Sequence, residues 1–373
     1  MASTLDPAHL AFALRTHALL REQERDGDLL WSPYSVAAAL AMVAAGAGGR
    51  TRDELAAYLA PGAGLDDLLE RVRDAAVLDD DQGSGLTVVN TLWTRADLPV
   101  EAAYEGRLRG MPGGALRTAD FGRDPGGAAD AINEDVAKTT RGLIRSIVDR
   151  QAVTGAQAVL VNALWVYLAW IERFTVAQTG PLAFHTPDGD RQVPAMRARR
   201  QMTYGRANGW GLVTLPGHGG LALDILLPER PLAETEPRPE DLARLYDRAG
   251  RADVRLALPR FEVAYGTELS AVIAALGAAT VFTDRADLSG ISPVPLEVDK
   301  VLHKARLRVD EAGAEGAAAT AVGMRLASAV RPREPVEFTV DRPYLVVLRH
   351  LRTGLVYFLA EITAPRDPGP AAS

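Results

Sequence analysis

The chain has 373 residues, 47% of them hydrophobic, and a net charge of −7 that is not gathered into acidic or basic blocks. This balance argues against a nucleic-acid-binding surface, and no apolar run approaches the about 18 residues of a membrane span, so neither partner is expected. The absence of cysteine excludes disulfides, thiolate metal ligands and cysteine nucleophiles.

The first residues give no sign of a secretion signal, since no basic segment precedes an apolar core. We therefore expect a cytoplasmic protein. A secreted protein without disulfides is the alternative, because a chain without cysteine is compatible with either compartment.

Two helices are predicted near the N-terminus. Asp6 and Pro7 supply a cap and a first-turn proline for a helix over residues 6–24. Ser32 and Pro33 do the same for a second helix, whose alanines form a smooth face that can approach a sheet closely.

The glycine-rich turn at 46–49, which ends the second helix, superficially matches a phosphate-binding loop. That motif needs G-x-x-x-x-G-K-[ST] after a buried strand. Here Ala44 holds the first glycine position, Arg50 holds the lysine position, and a helix precedes the turn. A nucleotide site is therefore the weaker interpretation.

Four apolar segments are predicted to be strands: 86–94, 156–168, 221–228 and 254–263. The second is the most apolar run and is expected to form a central buried strand. Asn162 lies inside it. Because a buried amide must find hydrogen-bond partners, we expect a polar cluster around this residue.

The stretch 309–335 consists mostly of small residues and lies between two predicted strands. Gly313, Gly316 and Gly323 would each cost a helix about 1 kcal/mol. With a period of two, one face from Ala314 to Leu326 is uncharged, which is typical of a strand with one buried side. A flexible surface loop rich in glycine and alanine is the alternative.

No catalytic site is predicted. The six histidines show no metal-ligand spacing, and neither H-E-x-x-H nor G-x-S-x-G occurs. Ser84 lies in a Gly-Ser-Gly turn without a base that the sequence reveals, and His303 is predicted to be a hydrogen-bonded core residue. We therefore expect a protein that is not an enzyme and that binds no cofactor or metal.

Residues 310–320 resemble the hinge of the serpin family, which has an acidic pair, a glycine, a small residue, a glutamate, and then small residues and threonine. Ala312 is an additional small residue, Ala314 replaces the usual Thr or Ser, and Gly316 replaces Ala. The predicted hinge residues are Glu311, Gly313, Ala314, Glu315, Gly316, Ala317, Ala318, Ala319 and Thr320.

Other motifs similar to those of the family recur in order from about residue 5 to about residue 366. In one of them, on a helix that begins near Asp124, Asp135 replaces the usual Trp, which predicts weaker packing of this helix on the sheet. The resemblance predicts one domain over residues 1–366, with a reactive loop over about 311–335. Residues 367–373 are expected to be a disordered tail.

The resemblance implies an α+β fold with three β-sheets, eight or nine helices and an exposed reactive-centre loop. It also implies a monomeric inhibitor that traps a serine peptidase as an acyl-enzyme and inserts the cleaved loop into the large sheet. A non-inhibitory serpin acting as a binding protein or chaperone is the alternative.

The resemblance assigns roles to individual residues. Counting the usual loop length from Gly313 places the reactive bond between Ala327 and Ser328, which favours elastase-like or subtilisin-like peptidases. The alternatives are the bond between Arg325 and Leu326 and the bond between Ala329 and Val330. A polar "shutter" under the sheet comprises Ser32, Ser35, Asn162 and His303, and Trp170 lies in the "breach" where insertion starts.

Overall fold

The computed structural model describes residues 5–79, 83–314 and 334–369. Within these ranges the chain forms nine α-helices and fifteen strands, which confirms the α+β class and the predicted number of helices. The helices are α1 Pro7–Gln23, α2 Pro33–Gly46, α3 Gly49–Leu59, α4 Leu65–Asp74, α5 Ala102–Leu108, α6 Pro125–Thr139, α7 Arg150–Val153, α8 Pro239–Asp247 and α9 Ser270–Ala275.

The strands divide between two hydrogen-bonded sheets. They are β1 Leu29–Trp31, β2 Gly85–Arg95, β3 Gly114–Ala119, β4 Ala158–Ala169, β5 Gly180–Thr186, β6 Gly189–Ala207, β7 Trp210–Pro216, β8 Leu221–Pro228, β9 Gly250–Pro259, β10 Phe261–Glu268, β11 Lys300–Val309, β12 Gly313–Ala314, β13 Val336–Thr339, β14 Tyr344–His350 and β15 Val356–Ile362.

The first two helices begin as predicted. The side chain of Asp6 accepts a hydrogen bond from His9 N, and that of Ser32 accepts one from Ser35 N, so each satisfies a free N–H of its helix. α2 is buried on nearly every side because its small residues let it lie between the two sheets. No helix in the described ranges is long and apolar enough to cross a membrane.

The six-stranded sheet has the order β10-β11-β4-β2-β3, with β12 paired to β4. β4 is its central strand and is buried on both faces, as its apolar sequence predicted. β4 and β11 are parallel, whereas each is antiparallel to its other main neighbour. The sheet therefore contains a parallel pair at its centre.

The nine-stranded sheet has the order β1-β15-β14-β8-β7-β6-β9-β13, with β5 paired to β6. The resemblance implied three sheets, but hydrogen bonding joins the described strands into two. The reason is β6, an unbroken strand of 19 residues. It pairs with β5 and β9 along its first part and with β7 at its end, so it connects what would otherwise be separate sheets.

The predicted strand 254–263 is wrong as a single element. β9 ends at Pro259 and β10 begins at Phe261, and the two strands belong to different sheets. Arg260 lies between them and donates its N–H to the carbonyl of Pro194. A proline offers no N–H to continue a ladder, which suits the point where the chain passes from one sheet to the other.

Two apolar cores hold the layers together. The main core lies between the sheets and around α2, and it includes Leu160, Leu164 and Leu168 of β4. The second core lies under α6 on the other face of the six-stranded sheet, where Ile132 and Val136 pack among residues that include Val161. The two faces of β4 thus belong to two different cores.

The chain beyond β15 returns to the start of β10. Glu262 N donates to the carbonyl of Arg366 over 2.9 Å, and Arg260 Nη2 lies 3.1 Å from Oδ2 of Asp367. Residues 367–369 of the expected disordered tail are among the described residues, and the expectation of disorder stays a prediction. Residues 370–373 lie outside the described residues.

Candidate functional site

Three polar side chains form a row across the six-stranded sheet. Asn90 on β2, Asn162 on β4 and His303 on β11 lie directly opposite one another and are buried. Nδ1 of His303 is 2.6 Å from Oδ1 of Asn162, and Nδ2 of Asn162 is 2.5 Å from Oδ1 of Asn90. The row is a continuous hydrogen-bonded chain that joins three strands.

The start of α2 completes this polar cluster. The N–H of Ser32 donates to Nε2 of His303 over 3.1 Å. The amide of Asn162 also donates to the hydroxyl of Ser35 at 2.5 Å and to its carbonyl at 2.9 Å. The structure therefore brings together all four residues that the sequence assigned to the shutter. Their role in opening the sheet stays a prediction.

The hydrogen bonds determine which ring nitrogen of His303 carries the proton. Nε2 accepts from Ser32, so the ring is neutral and its proton lies on Nδ1, which donates to Asn162. Burial lowers the pKa of His303 to about 3, because the charged form would have to leave water. The imidazole is thus held neutral as a structural link.

Sequence reasoning missed Asn90. It also donates through Nδ2 to the carbonyl of Pro112 over 2.8 Å, so its amide is bonded on both sides. The available signal was a lone Asn inside the predicted strand 86–94, the same kind of signal that identified Asn162.

The contact between β4 and β11, here called the seam, is closed at one end and open at the other. The two strands pair from Val159 with Lys300 to Leu164 with Ala305. Beyond these pairs, residues 165–167 of β4 are hydrogen-bonded to β2, and residues 306–309 of β11 are hydrogen-bonded to β10.

The first hinge residues lie at the open end of the seam. Asp310 N donates to the carbonyl of Gly313 over 2.9 Å, which closes a two-residue hairpin turn after β11. Gly313 and Ala314 then pair antiparallel with Ala169 and Leu168 of β4. The hinge therefore enters the sheet between β11 and β4.

Gly313 is required for this close approach. A Cβ atom at this position would lie 2.0 Å from the carbonyl oxygen of Leu168 and 3.0 Å from Cα of Ala169, and the φ angle is +155°. Both features exclude a side chain unless the backbone moves.

Trp170 lies at the mouth of the seam, where the sequence placed the breach. Its indole Nε1 donates to the carbonyl of Asp310 over 2.9 Å, and its backbone N–H donates to the carbonyl of Ala312 over 3.2 Å. The ring packs edge-on against Phe174 at 6.2 Å. The segment that follows β4 is thus bonded to the turn that precedes the hinge.

Glu311 is a buried acid in this turn. Its Oε1 accepts from Thr179 Oγ1 at 2.6 Å and lies 3.4 Å from Nη1 of Arg260. Among the residues that the structure describes, Oε2 of Glu311 and Nε of Arg260 have no hydrogen-bond partner. The carboxylate is therefore only partly compensated.

The rest of the predicted site lies outside the described residues. This applies to the later hinge, Glu315, Gly316, Ala317, Ala318, Ala319 and Thr320, and to the candidate reactive-bond residues Arg325, Leu326, Ala327, Ser328 and Ala329. The two described ends of this segment belong to different sheets, since Ala314 pairs with β4 and β13 pairs with β9.

Ser84 has the hydrogen bonds of a structural serine. Its hydroxyl donates to the carbonyl of His218 over 2.8 Å and accepts from the N–H of Ala169 at 3.1 Å. In the described part of the chain, no group of three or more His, Asp or Glu side chains is placed to hold a metal ion.

Comparison with known proteins gives one consistent result. The family model described as Serpin (serine protease inhibitor) matches residues 7–365. Serpin-Z1C of Triticum aestivum is 31% identical over 377 residues, covering 95% of this chain and 94% of its own length. Serpin48 of the insect Tenebrio molitor has a similar structure, with a TM-score of 0.84, 24% identity and coverage of 96% of this chain and 97% of its own. Uncleaved ovalbumin gives a TM-score of 0.84 at 22% identity, with coverage of 97% and 100%.

Proposed function

The chain belongs to the serpin family, whose members are generally protease inhibitors and not enzymes, and from this we propose that it inhibits a serine-type endopeptidase as a suicide substrate. The peptidase cleaves the reactive loop and is held as an acyl-enzyme. The freed hinge then inserts between β4 and β11 and carries the peptidase with it.

The single observation that supports this mechanism best is the position of Gly313 and Ala314 at the open end of the seam. They pair antiparallel with β4, and the hairpin turn with Asp310 sets them antiparallel to β11 as well. Continued insertion would convert the parallel β4–β11 contact into two antiparallel contacts. Antiparallel pairing is slightly more stable per residue, so insertion has a driving force.

The observed register also accounts for the uncharged face of the hinge. Ala314 is opposite Leu168, whose side chain belongs to the main core. Paired residues in a sheet point to the same side, so every second residue after Ala314 would face that core. These are the residues that carry no charge, up to Leu326. Continuing the register along β4 pairs Met324 with Ala158, which corresponds to about 40 Å of inserted strand.

The chemical steps belong to the peptidase. Its serine oxygen forms an ester with the loop carbonyl, the peptide bond breaks, and the new amino terminus leaves with the proton supplied by the peptidase's histidine. Hydrolysis of the ester needs the peptidase's oxyanion hole and histidine in place. Insertion pulls on the ester while one end of the loop is fixed in the sheet, so hydrolysis stalls.

For the target we propose an elastase-like or subtilisin-like peptidase that cleaves between Ala327 and Ser328. A small residue before the bond suits a narrow specificity pocket. The bonds between Arg325 and Leu326 and after Ala329 remain the alternatives, and the first of these would suit trypsin-like enzymes.

The test is incubation with a panel of serine peptidases, followed by a denaturing gel and mass spectrometry of the loop. We expect a complex that survives denaturation with elastase or subtilisin, and a released C-terminal fragment that begins at Ser328. Cleavage without any stable complex across the panel would contradict the proposal and favour a non-inhibitory serpin that acts as a binding protein or chaperone.

A further inference from the structure

The C-terminal tail contacts the base of the hinge through one arginine. The guanidinium of Arg260 lies 3.1 Å from Asp367 through Nη2 and 3.4 Å from Glu311 through Nη1. Arg260 is 8% exposed, so both acids share a nearly buried cation. The residue stands where the chain passes from the nine-stranded to the six-stranded sheet.

The tail is itself held in place next to this arginine. Oδ1 of Asp367 accepts from Gly369 N at 3.0 Å, which fixes the carboxylate in a local turn. The carbonyl of Arg366 accepts from Glu262 N on β10, and that of Gly369 lies 3.5 Å from Nη2 of Arg308 on β11. The tail therefore lies along the end of β10 and β11 from which the hinge departs.

The buried charge of Glu311 depends on the orientation of Arg260, because the carboxylate has too few close hydrogen-bond partners of its own. Its side chain is 1% exposed, and the contact with Arg260 at 3.4 Å is long for a hydrogen bond. A buried carboxylate with a poorly placed partner is destabilising, so the orientation of that partner matters. Asp367 contacts Nη2, the other terminal nitrogen of the same guanidinium, and this contact favours the orientation in which Nη1 faces Glu311.

Glu311 links the turn before the hinge to the segments on both sides of the seam, so the orientation of Arg260 affects the hinge. Glu311 is hydrogen-bonded to Thr179 in the segment that follows β4, and it contacts Arg260 at the junction between β9 and β10. The carbonyl of Glu311 also accepts from Phe174 N. These contacts all involve Glu311, which lies in the turn about which the hinge must rotate to enter the seam. Loosening one of them lowers the barrier to that movement.

We propose that Asp367 is a positioning residue for loop insertion: it orients Arg260 toward Glu311, so the C-terminal tail restrains opening of the seam in the intact chain. This inference rests on the proposed insertion mechanism. The tail acts as a restraint on the uncleaved protein and takes no part in the chemistry of the peptidase.

The test measures how fast the intact protein converts, on warming and without any target peptidase, to a form in which the uncleaved loop has inserted into the sheet. Samples held below the unfolding temperature are briefly digested with thermolysin, and mass spectrometry measures the fraction of the protein that thermolysin still cleaves within residues 315–333. Insertion of the uncleaved loop removes this cleavage. Asp367→Asn should convert about two- to fivefold faster than the parent, the range for loss of one partly exposed ion pair.

Two variants separate positioning from general effects. Asp367→Glu keeps the charge and should return the rate close to that of the parent. Glu229→Gln removes an acid paired with Arg206 at 2.6 Å elsewhere on the surface and should leave the rate unchanged. The proposal is overturned if Asp367→Asn converts at the parental rate, if all three variants shift equally, or if none of the proteins converts before unfolding.

The outcome is distinguishable from failure of the proposed function. A chain that forms stable peptidase complexes, but converts at one rate with or without Asp367, remains an inhibitor whose tail has no positioning role. A chain that forms no such complexes fails the proposed function directly, whatever its tail does.

Discussion

His303 and Asn162 are hydrogen-bonded to each other from opposite sides of the seam, within its paired part. A strand that enters between β4 and β11 increases their separation by one strand spacing, about 4.8 Å, so this 2.6 Å contact cannot survive insertion. The hydrogen bond between the side chains of β4 and β11 is therefore one that the proposed mechanism must break.

We predict that removing either partner weakens the closed seam. Asn162→Ala or His303→Ala leaves a buried group unpaired, at a cost of about 1–3 kcal/mol. Both variants should form polymers or inserted monomers on mild heating, measured by native gel electrophoresis. His185→Ala, at an exposed histidine, is the control. Monomers that remain unchanged in both variants would show that these residues lie outside the moving part of the sheet.

The register predicts a new partner for the same two residues after insertion. Continuing the pairing of Gly313 with Ala169 and with Asp310 places Thr320 opposite both Asn162 and His303. A threonine hydroxyl can accept from the His303 Nδ1–H and donate to Asn162 Oδ1 at the same time.

We therefore expect Thr320→Val to lower the free energy of unfolding of the cleaved form by about 1–3 kcal/mol and to leave the intact form unchanged. Denaturant titration of both forms measures this difference, with Thr320→Ser as the variant that keeps the hydroxyl. An equal effect on the intact and cleaved forms would show that the inserted strand uses another register.

Stability should fall on acidification. Burial lowers the pKa of His303 to about 3 and that of His9 to about 4, both below the usual value of 6.5. Between these values the unfolded chain binds protons that the folded chain does not, so stability is full above pH 6.5 and is lost as the pH falls toward 3. At pH 5, His303 alone should lower the free energy of unfolding by about 2 kcal/mol relative to its value at neutral pH.

Urea unfolding at pH 7.5 and pH 5 measures this loss. His303→Gln, which cannot be protonated, should show a smaller drop between the two pH values than the parent. His185→Gln changes an exposed ring and should keep most of the parental drop. If His303→Gln and the parent lose the same stability, burial of this ring does not govern the acid response.

Two adjacent substitutions test the direction in which the hinge faces. Ala314 pairs with Leu168, a residue of the main core, so in the proposed inserted strand Ala314→Arg would have to bury a charge, at a cost of several kcal/mol. Glu315 falls on the opposite face and should tolerate arginine. We expect Ala314→Arg to be cleaved as a substrate and to release active peptidase, whereas Glu315→Arg still inhibits.

The number of inhibitor molecules consumed for each peptidase inactivated measures this contrast. The two variants introduce the same residue one position apart, so a general charge effect cannot produce it. Equal numbers for both variants and the parent would mean that the loop does not insert in this register.

Local patterns predicted those parts of the site that depend on neighbours in sequence. The caps at Asp6 and Ser32 follow from side chains that reach an N–H three residues away. The buried amide of Asn162 predicted a polar cluster because burial without partners is costly. What such patterns do not contain is the identity of a partner on another strand, so Asn90 was missed.

Contacts between distant segments account for the other differences. Arg260 and Glu311 are 51 positions apart, and nothing near either residue indicates the other. At Asp135 the sequence predicted weaker packing of α6. In the structure its carboxylate lies 2.7 Å from Nη2 of Arg117 on β3, so an ion pair stands where an aromatic contact was expected. Only the folded sheet brings Arg117 under the helix.

The short strand β13 has a consequence for the lifetime of the uncut protein. It is a strand of four residues at the edge of the nine-stranded sheet, where it pairs with β9, and it holds the far end of the loop in a different sheet from the hinge. With both ends tethered, full insertion of an uncut loop requires this strand to peel away first. In the proposed mechanism the uncut form therefore persists because conversion is slow and not because it is the most stable state, and the four residue pairs between β13 and β9 contribute to the barrier.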